Sequence, residues 1–584
     1  MEPRTRRYRS QRLPASQAAR NRAEAAVGYN GRTQQTGCIM RFLRPAIIAL
    51  LTLAALTATP AFHAEALWPV VDLSATRADV TVYGDDSGDE CGWSVATGDI
   101  NGDGTDDLII VTLDEETDVI YGGGSLPATI DLDSTSPDLA VVGDDWGEQV
   151  GRSAAAGDIN GDGTDDLIIG AYHTNPGGRR QAGETHVIYG GASLPAIIDL
   201  SSTSADLTVY GDDAEDYSGD SVAAGDINGD GTDDLIIGAW GADPGGETYV
   251  IYGGGSLPAT IDLDSTSPDL TVRGDDWGDQ VGRSAAVGAI DGDGTDDLII
   301  GAFVADPVGG SNAGETYVIY GGTSLPAIID LSSASADLTV YGDDGGDLSG
   351  WAVATGDIDG DGTDDLIVGA RGADPGGGSN AGETYVVYGA GSLPTIIDLN
   401  STRADVTVYG DDAEDYSGNS VAAGDIDGNG TDDLIIGAWG ADPAGRSQAG
   451  ETYVISGGES VPAFIDLDNT SADLTVFGGD VYPHTGEGSE SGRAVGAGDI
   501  NGDGTDDLII GANAANTVGG GNAGETYVLY GRSPVGGIVE LRTDPNAQSD
   551  QPASASPLPI GASVALGVLV LGAGGLCAAK LRRG

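Results

Sequence analysis

Almost the same fourteen residues are written seven times in this chain. The first copy runs Gly98-Asp-Ile-Asn-Gly-Asp-Gly-Thr-Asp-Asp-Leu-Ile-Ile-Val111, and the others begin at Gly157, Gly225, Gly288, Gly356, Gly424 and Gly498. They recur every 59 to 74 residues. A repeat of this period is one supersecondary unit that cannot bury its apolar face alone, so the chain must fold as a stack or ring of such units.

Each copy is also a potential cation cage. Asp99, Asn101, Asp103 and Asp107 put hard oxygen ligands at positions 1, 3, 5 and 9 of a short loop. Gly104 at position 6 permits the sharp turn, and the backbone carbonyl of Thr105 supplies position 7. The second loop offers Asp158, Asn160, Asp162, Thr164 and Asp166, and the third Asp226, Asn228, Asp230, Thr232 and Asp234. The fourth has Ala289 at position 1 and keeps only Asp291, Asp293 and Asp297. The fifth is richest in charge, with Asp357, Asp359, Asp361, Thr363 and Asp365. The sixth reads Asp425, Asp427, Asn429, Thr431 and Asp433, and the seventh Asp499, Asn501, Asp503, Thr505 and Asp507. All-oxygen chemistry favours calcium over zinc or copper. About six calcium sites are expected, with the fourth weak or empty. The bland reading of a single Asp-Gly-Asn cluster is a turn, but fixed ligand spacing in every copy favours metal.

The loops are not EF-hands. Position 12 of the first copy is Ile110, where an EF-hand needs a bidentate Glu. The flanking segments, Ser94–Thr97 and Leu108–Val111, are short and rich in strand formers or small residues. The ligands therefore belong to a hairpin between two strands. In the third repeat two further strands follow, at Glu247–Tyr252 and Asp269–Val272, separated by Gly- and Pro-containing turns. Four short strands per repeat describe a propeller blade. The Leu-Ile-Ile runs lack alternation, as suits strands buried on both faces.

The strand count is out of phase by one. A fourth-type strand at Asp79–Val82 precedes every metal loop, and no such strand follows Glu525–Tyr530. A closed ring resolves this if Asp79–Val82 completes the last blade, and closure also removes sheet edges. The expected fold is all-β, a seven-bladed propeller of four-stranded blades with calcium-binding hairpin loops.

The motif Gly-Asp-Ile-Asn-Gly-Asp-Gly-x-x-Asp-Leu-x-x-Gly-Ala, which stands at Gly157–Ala171 and Gly225–Ala239, resembles the FG-GAP repeat of the integrin α-subunit N-terminal propeller. The resemblance covers about residues 78–531. It implies calcium in the loops of one face and ligand contact on the other. The Phe of the family's name is replaced by Cys91, Val150, Ser218, Val281, Ser349, Ser417 and Ser491.

The ends have other compositions. Residues 1–39 carry eight Arg and no strand pattern. Residues 40–66 have a basic start, an apolar run and the cleavage-like Ala64-Glu-Ala66, the layout of a secretory signal. The reading that follows is that translation begins at Met40. The propeller is assigned to 67–540, a Ser/Pro/Ala linker to 541–559, and a transmembrane helix or surface-sorting signal with a basic tail to 560–584. Both anchors leave the propeller outside the cell. Only Cys91 falls in the repeats, so no disulfide can staple the ring.

The formal net charge is −67. It argues against nucleic acid and against an anionic membrane surface as partner, leaving membrane contact to the C-terminal anchor. The sequence contains no Lys before Lys580, which also fits salt adaptation. No nucleophile motif, phosphate loop or His-based metal triad is present. Arg273-Gly-Asp275 occupies the slot of Tyr210-Gly-Asp212 and reads as a variant strand end. His173 and His186 read as surface loop residues. The leading expectation is a non-enzymatic, calcium-binding adhesion or recognition module at the cell surface, taking an extracellular protein or glycan. The alternatives are a polysaccharide lyase or hydrolase built from abundant carboxylates and a structural surface-layer component.

Overall fold

The computed structural model describes residues 70–532 apart from 114–115, 125, 144–150, 308–309, 334–335, 403, 471, 480–487 and 517–520. The segments read as upstream stretch, signal, linker and anchor lie outside these residues. Among the described residues, no helix is long and apolar enough to cross a membrane.

The strands form seven sheets, one per blade. In the third, Ser221–Gly225, Asp234–Ala239, Glu247–Ile251 and Leu270–Arg273 follow one another antiparallel. The first strands of adjacent blades adjoin all the way round and line the central channel. The second strands, Asp-Leu-Ile-Ile-Gly-Ala in most repeats, are buried along their whole length. Alternate side chains of each face opposite neighbours. Ile109 and Val111 pack with Leu167, Ile169 and Ala171 of the second blade. Leu108 and Ile110 pack with Ile500, Ile509 and Val528 of the seventh. The absence of alternation in the sequence is thus a strand between two apolar walls.

The ring closes as the strand count requires. Val80–Tyr83 lies antiparallel to Glu525–Leu529, with Thr81 opposite Tyr527. The same corner is fastened by the Tyr530 amide, which donates to the Asp79 carboxylate at 3.0 Å. Equivalent bonds join Tyr121 to Asp138 and Tyr252 to Asp269 within single repeats.

The blades differ from expectation in carrying five strands, not four. A strand of two or three residues from the following repeat adds parallel to each outer edge, as Ile328–Asp330 does beside Leu270–Arg273. In the sixth blade this strand is Val71–Asp72, beside Leu474–Phe477. These segments are too short for any periodicity to declare itself, and usually only their middle residue is buried. Each covers an edge that would otherwise offer unpaired backbone to another chain.

Candidate metal centre

All seven loops join first strand to second and therefore share one face of the ring. Their shape is set locally. The Asp99 carboxylate accepts from the amides of Asp103 and Gly104, each at 2.8 Å, and Asp103 accepts from Thr105 at 3.0 Å. Gly102 and Gly104 take φ values of 73° and 88°, which a side chain would disfavour. In the fourth loop Ala289 removes the first two bonds. Asp291 and Asp293 still accept from the amides of Asp293 and Thr295.

In the fifth loop the carboxylates of Asp357, Asp359 and Asp361 each present an oxygen within 4.8 Å of the other two. Calcium holds oxygens at about 2.3–2.6 Å, so ligands of one ion stand at most ~5 Å apart. The donor set and spacing fit that ion. The position-9 carboxylates lie deeper. Asp107 accepts from the Asn101 backbone at 3.0 Å, the Asn101 side chain at 2.8 Å and the Gly122 amide at 2.9 Å. Each carboxylate oxygen has two lone pairs, so these bonds leave capacity for a cation. Burial pushes Asp107 up to about 6. It pushes Asp166, Asp234, Asp297, Asp365, Asp433 and Asp507 up to about 7. Ionising these groups near neutral pH is costly unless positive charge arrives.

Three invariant loop positions serve another purpose, which the sequence reading missed. The position-8 carboxylate of each loop accepts the position-1 amide of the preceding blade. Asp165 accepts from Asp99 at 3.0 Å, Asp233 from Asp158 at 2.9 Å and Asp296 from Asp226 at 2.9 Å. Asp364, Asp432 and Asp506 continue the series, and Asp106 accepts from Asp499 at 2.9 Å to complete the circle. Thr164 at position 7 lies against Gly102 of the preceding loop, as Thr105 does against Gly502. A Cβ at Gly98 would stand 2.4 Å from the Cβ of Ala156, so glycine there sets how closely blades approach. The available signal was that the first Asp of Thr-Asp-Asp never varies, although the ligand pattern does not need it.

The opposite face carries the loops from second to third and from fourth to first strand. They pack on one another, as where Tyr217 and Ser218 donate to the carbonyls of Gln181 and Ala182. Aromatic pairs stand here: Tyr217 stacks on Trp240 at 4.7 Å, Tyr416 on Trp439 at 5.1 Å, and Phe303 meets Trp351 edge-on. A cavity of about 650 Å³ in the third blade is lined by Asp212, Asp216, Tyr217, Trp240, Glu247 and Tyr249. Arg273 ends its strand with Nε 3.0 Å from Glu247. His173 lies in a loop against Tyr172. His186, expected on the surface, is buried in a third strand where the third to seventh blades have Tyr.

The FG-GAP repeat model matches residues 92–115, 150–188, 218–252, 349–387, 417–455 and 491–529, one stretch in each of six blades. The chain is an FG-GAP repeat propeller. The blade without a match is the fourth, whose loop has Ala289. The chain is 26% identical over 412 residues to human phosphatidylinositol-glycan-specific phospholipase D, covering 66% of this chain and 46% of that protein. It is 30% identical over 283 residues to integrin alpha pat-2 of Caenorhabditis elegans, covering 46% of this chain and 22% of the relative. With integrin alpha-5 of Xenopus laevis the figures are 31% over 229 residues, 37% and 20%. The chain thus spans less than half the length of each of these relatives. The FG-GAP propeller resembles the integrin α N-terminal domain in fold.

Proposed function

We propose that this FG-GAP propeller is a calcium-dependent recognition module displayed outside the cell, a binding protein and not an enzyme. Its ligand, an extracellular protein or glycan, lies on the face opposite the metal loops. The observation that carries this reading is the division of labour between the two faces. One repeats the same interlocked loops from blade to blade. The other varies in length and composition, at Tyr172–Ala182, Trp240–Gly246, Phe303–Ala313 and Arg371–Ala381. Varied loops on a rigid scaffold are where specificity resides.

Calcium would be held by position-1, -3, -5 and -9 side chains with the position-7 carbonyl, in every blade but the fourth. When bound it supplies the positive charge that the buried carboxylates lack and cross-links each hairpin. The integrin relatives support adhesion, and the secretory and anchoring segments would present the ring at the cell surface. The test is binding of the full chain to glycan and protein arrays, with and without calcium. Calcium-dependent capture of a defined ligand is expected, and no capture in either condition refutes the reading.

A second reading, a polysaccharide lyase or hydrolase, is favoured by the cavity in the third blade, where carboxylates face Trp240. Turnover of a polysaccharide that is lost in Glu247→Gln and unaffected by Asp357→Ala would select it.

A further inference from the structure

We propose that the mouth of the central channel, on the face opposite the metal loops, is a binding site for an acidic sugar, a uronate or sulfated residue of a glycan. This rests on the reading of that face as the recognition face and gives its ligand a chemistry.

Each blade contributes to the mouth the residue at or just before the start of its innermost strand. Three of these are Arg152, Arg283 and Arg493, and two are Trp93 and Trp351. Arg371 leans in from the loop between second and third strands of the fifth blade. Only eleven Arg and no Lys occur in residues 68–532 of a chain with net charge −67. Three of those eleven line a cavity of about 280 Å³, and a fourth, Arg371, lies on the ring of Trp351, which also lines it.

The indoles hold the guanidinium groups apart. Trp93 carries Arg152 at 4.7 Å and Arg493 at 4.8 Å from its ring centre. Trp351 carries Arg371 at 3.2 Å and Arg283 at 5.4 Å. Such cation–π contacts orient planar guanidinium without neutralising it.

Neutralisation is incomplete. Asp220 is buried and serves two cations, with Oδ1 3.5 Å from Arg152 Nε and Oδ2 paired with Arg283. Glu490 stands 3.8 Å from Arg493. Arg371 has no carboxylate within ion-pair distance among the described residues; its polar partner is Asn419 Oδ1 at 3.3 Å. Burial, then Arg493 and Arg283, push the Arg371 guanidinium down to about 10, as expected where cations face one another without counter-charge.

The mouth therefore offers donors and few acceptors. Asn419 is spent, its oxygen on Arg371 and its amide on the Arg493 carbonyl at 3.2 Å. A peptide would bring a backbone N–H with nearly every residue and leave it unmet. A carboxylate or sulfate only accepts, and guanidinium forks match it in two bonds. Because guanidinium covers the indoles, the site is poorly suited to stacking a neutral sugar. The volume is just under the roughly 300–1,000 Å³ of a drug-sized pocket, room for one sugar residue at a chain end.

The experiment measures binding of the full chain to sulfated and uronate oligosaccharides, a matched neutral oligosaccharide and a poly-glutamate peptide. The variants are Arg371→Gln and Arg493→Gln, with Arg532→Gln as control. Arg532 is exposed on the metal-loop side of the ring, its amide donating to the Ile426 carbonyl and its guanidinium 3.9 Å from Asp79. Acidic oligosaccharides are expected to bind and the neutral one not. Each mouth variant should weaken binding by about tenfold or more, the loss of one charge-assisted hydrogen bond, while the control stays within about twofold of the parent. Melting curves identify a variant that fails to fold, and the other then decides. Absence of acidic-sugar binding, or binding untouched by both mouth variants, overturns the site; equal binding of poly-glutamate overturns the sugar class. If array ligands are still captured by the mouth variants, the channel site falls while the recognition face stands.

Discussion

The circle of position-8 carboxylates gives the sharpest quantitative expectation. Asp106→Ala removes the acceptor of the Asp499 amide at the seam where the last blade meets the first. The bond is 2.9 Å long, charged on one side and half-buried. Hydrogen bonds to charged groups contribute about 1.5–3 kcal/mol, and an orphaned buried N–H adds its own desolvation cost. The gain is smaller than the upper figure, because burial and the neighbouring Asp506 and Asp165 push the Asp106 carboxyl up. A loss of about 2 kcal/mol follows. Asp106→Asn keeps an oxygen acceptor without its charge, and about half that loss is expected. The assay is urea unfolding in chelator, so that the adjacent loop contributes no metal binding. The midpoint should fall with the slope unchanged. Asp233→Ala at an internal seam should match Asp106→Ala, since the two bonds have the same geometry. If both variants unfold within about 0.5 kcal/mol of the parent, the range of an ordinary surface substitution, the circle does not hold the blades together.

Chelator should lower the melting temperature of the parent, and Asp357→Ala should lose more of the calcium-induced rise than Asp291→Ala; calorimetry decides. Glu451 is pushed up by burial to about 8, and Glu315 and Glu383 to about 7. Each folded value exceeds the unfolded one of 4.5, so the folded state holds extra protons. Their contribution is full below about 4.5 and is lost as pH rises from there through 7 to 8, so Glu451→Gln should flatten the fall in stability between about pH 4.5 and 8. Gly157→Ala would place a Cβ 2.5 Å from that of Ala224 and should cost about 1–3 kcal/mol by overpacking, read from the same urea curves.

The architecture was legible because the repeat supplies it many times over. The unalternating Leu-Ile-Ile runs announced strands walled on both sides, and the lone strand at Asp79–Val82 announced closure. The fifth strand was not legible, since Ile328–Asp330 is three residues long and gains its role from a neighbour far away in sequence. The metal loop was half legible. Positions 1, 3, 5 and 9 read directly as ligands, and the first three of them are where Asp, Asn and Ala exchange. Gly98, Thr105 and Asp106 do not vary because they touch neighbouring blades, a contact that no pattern within one loop expresses. The channel mouth was least legible. Its Trp, Arg, Asp and Asn lie about one repeat apart and meet only when the ring forms.

The two strands taken from the start of the described chain have a consequence for its synthesis. Val71–Asp72 and Val80–Tyr83 leave the ribosome before any metal loop, yet their partners lie at Leu474–Phe477 and Glu525–Leu529. The blades between can form in order as they emerge, but Val71–Asp72 must wait without its partner, and Val80–Tyr83 with only Thr129–Asp131 to pair with, for nearly the whole ring. Val80 and Val82, fully buried at the end, are exposed until then. Such late, long-range pairing is slow and vulnerable to association with other chains. The latch that protects the finished ring is thus the element at greatest risk while the ring is made.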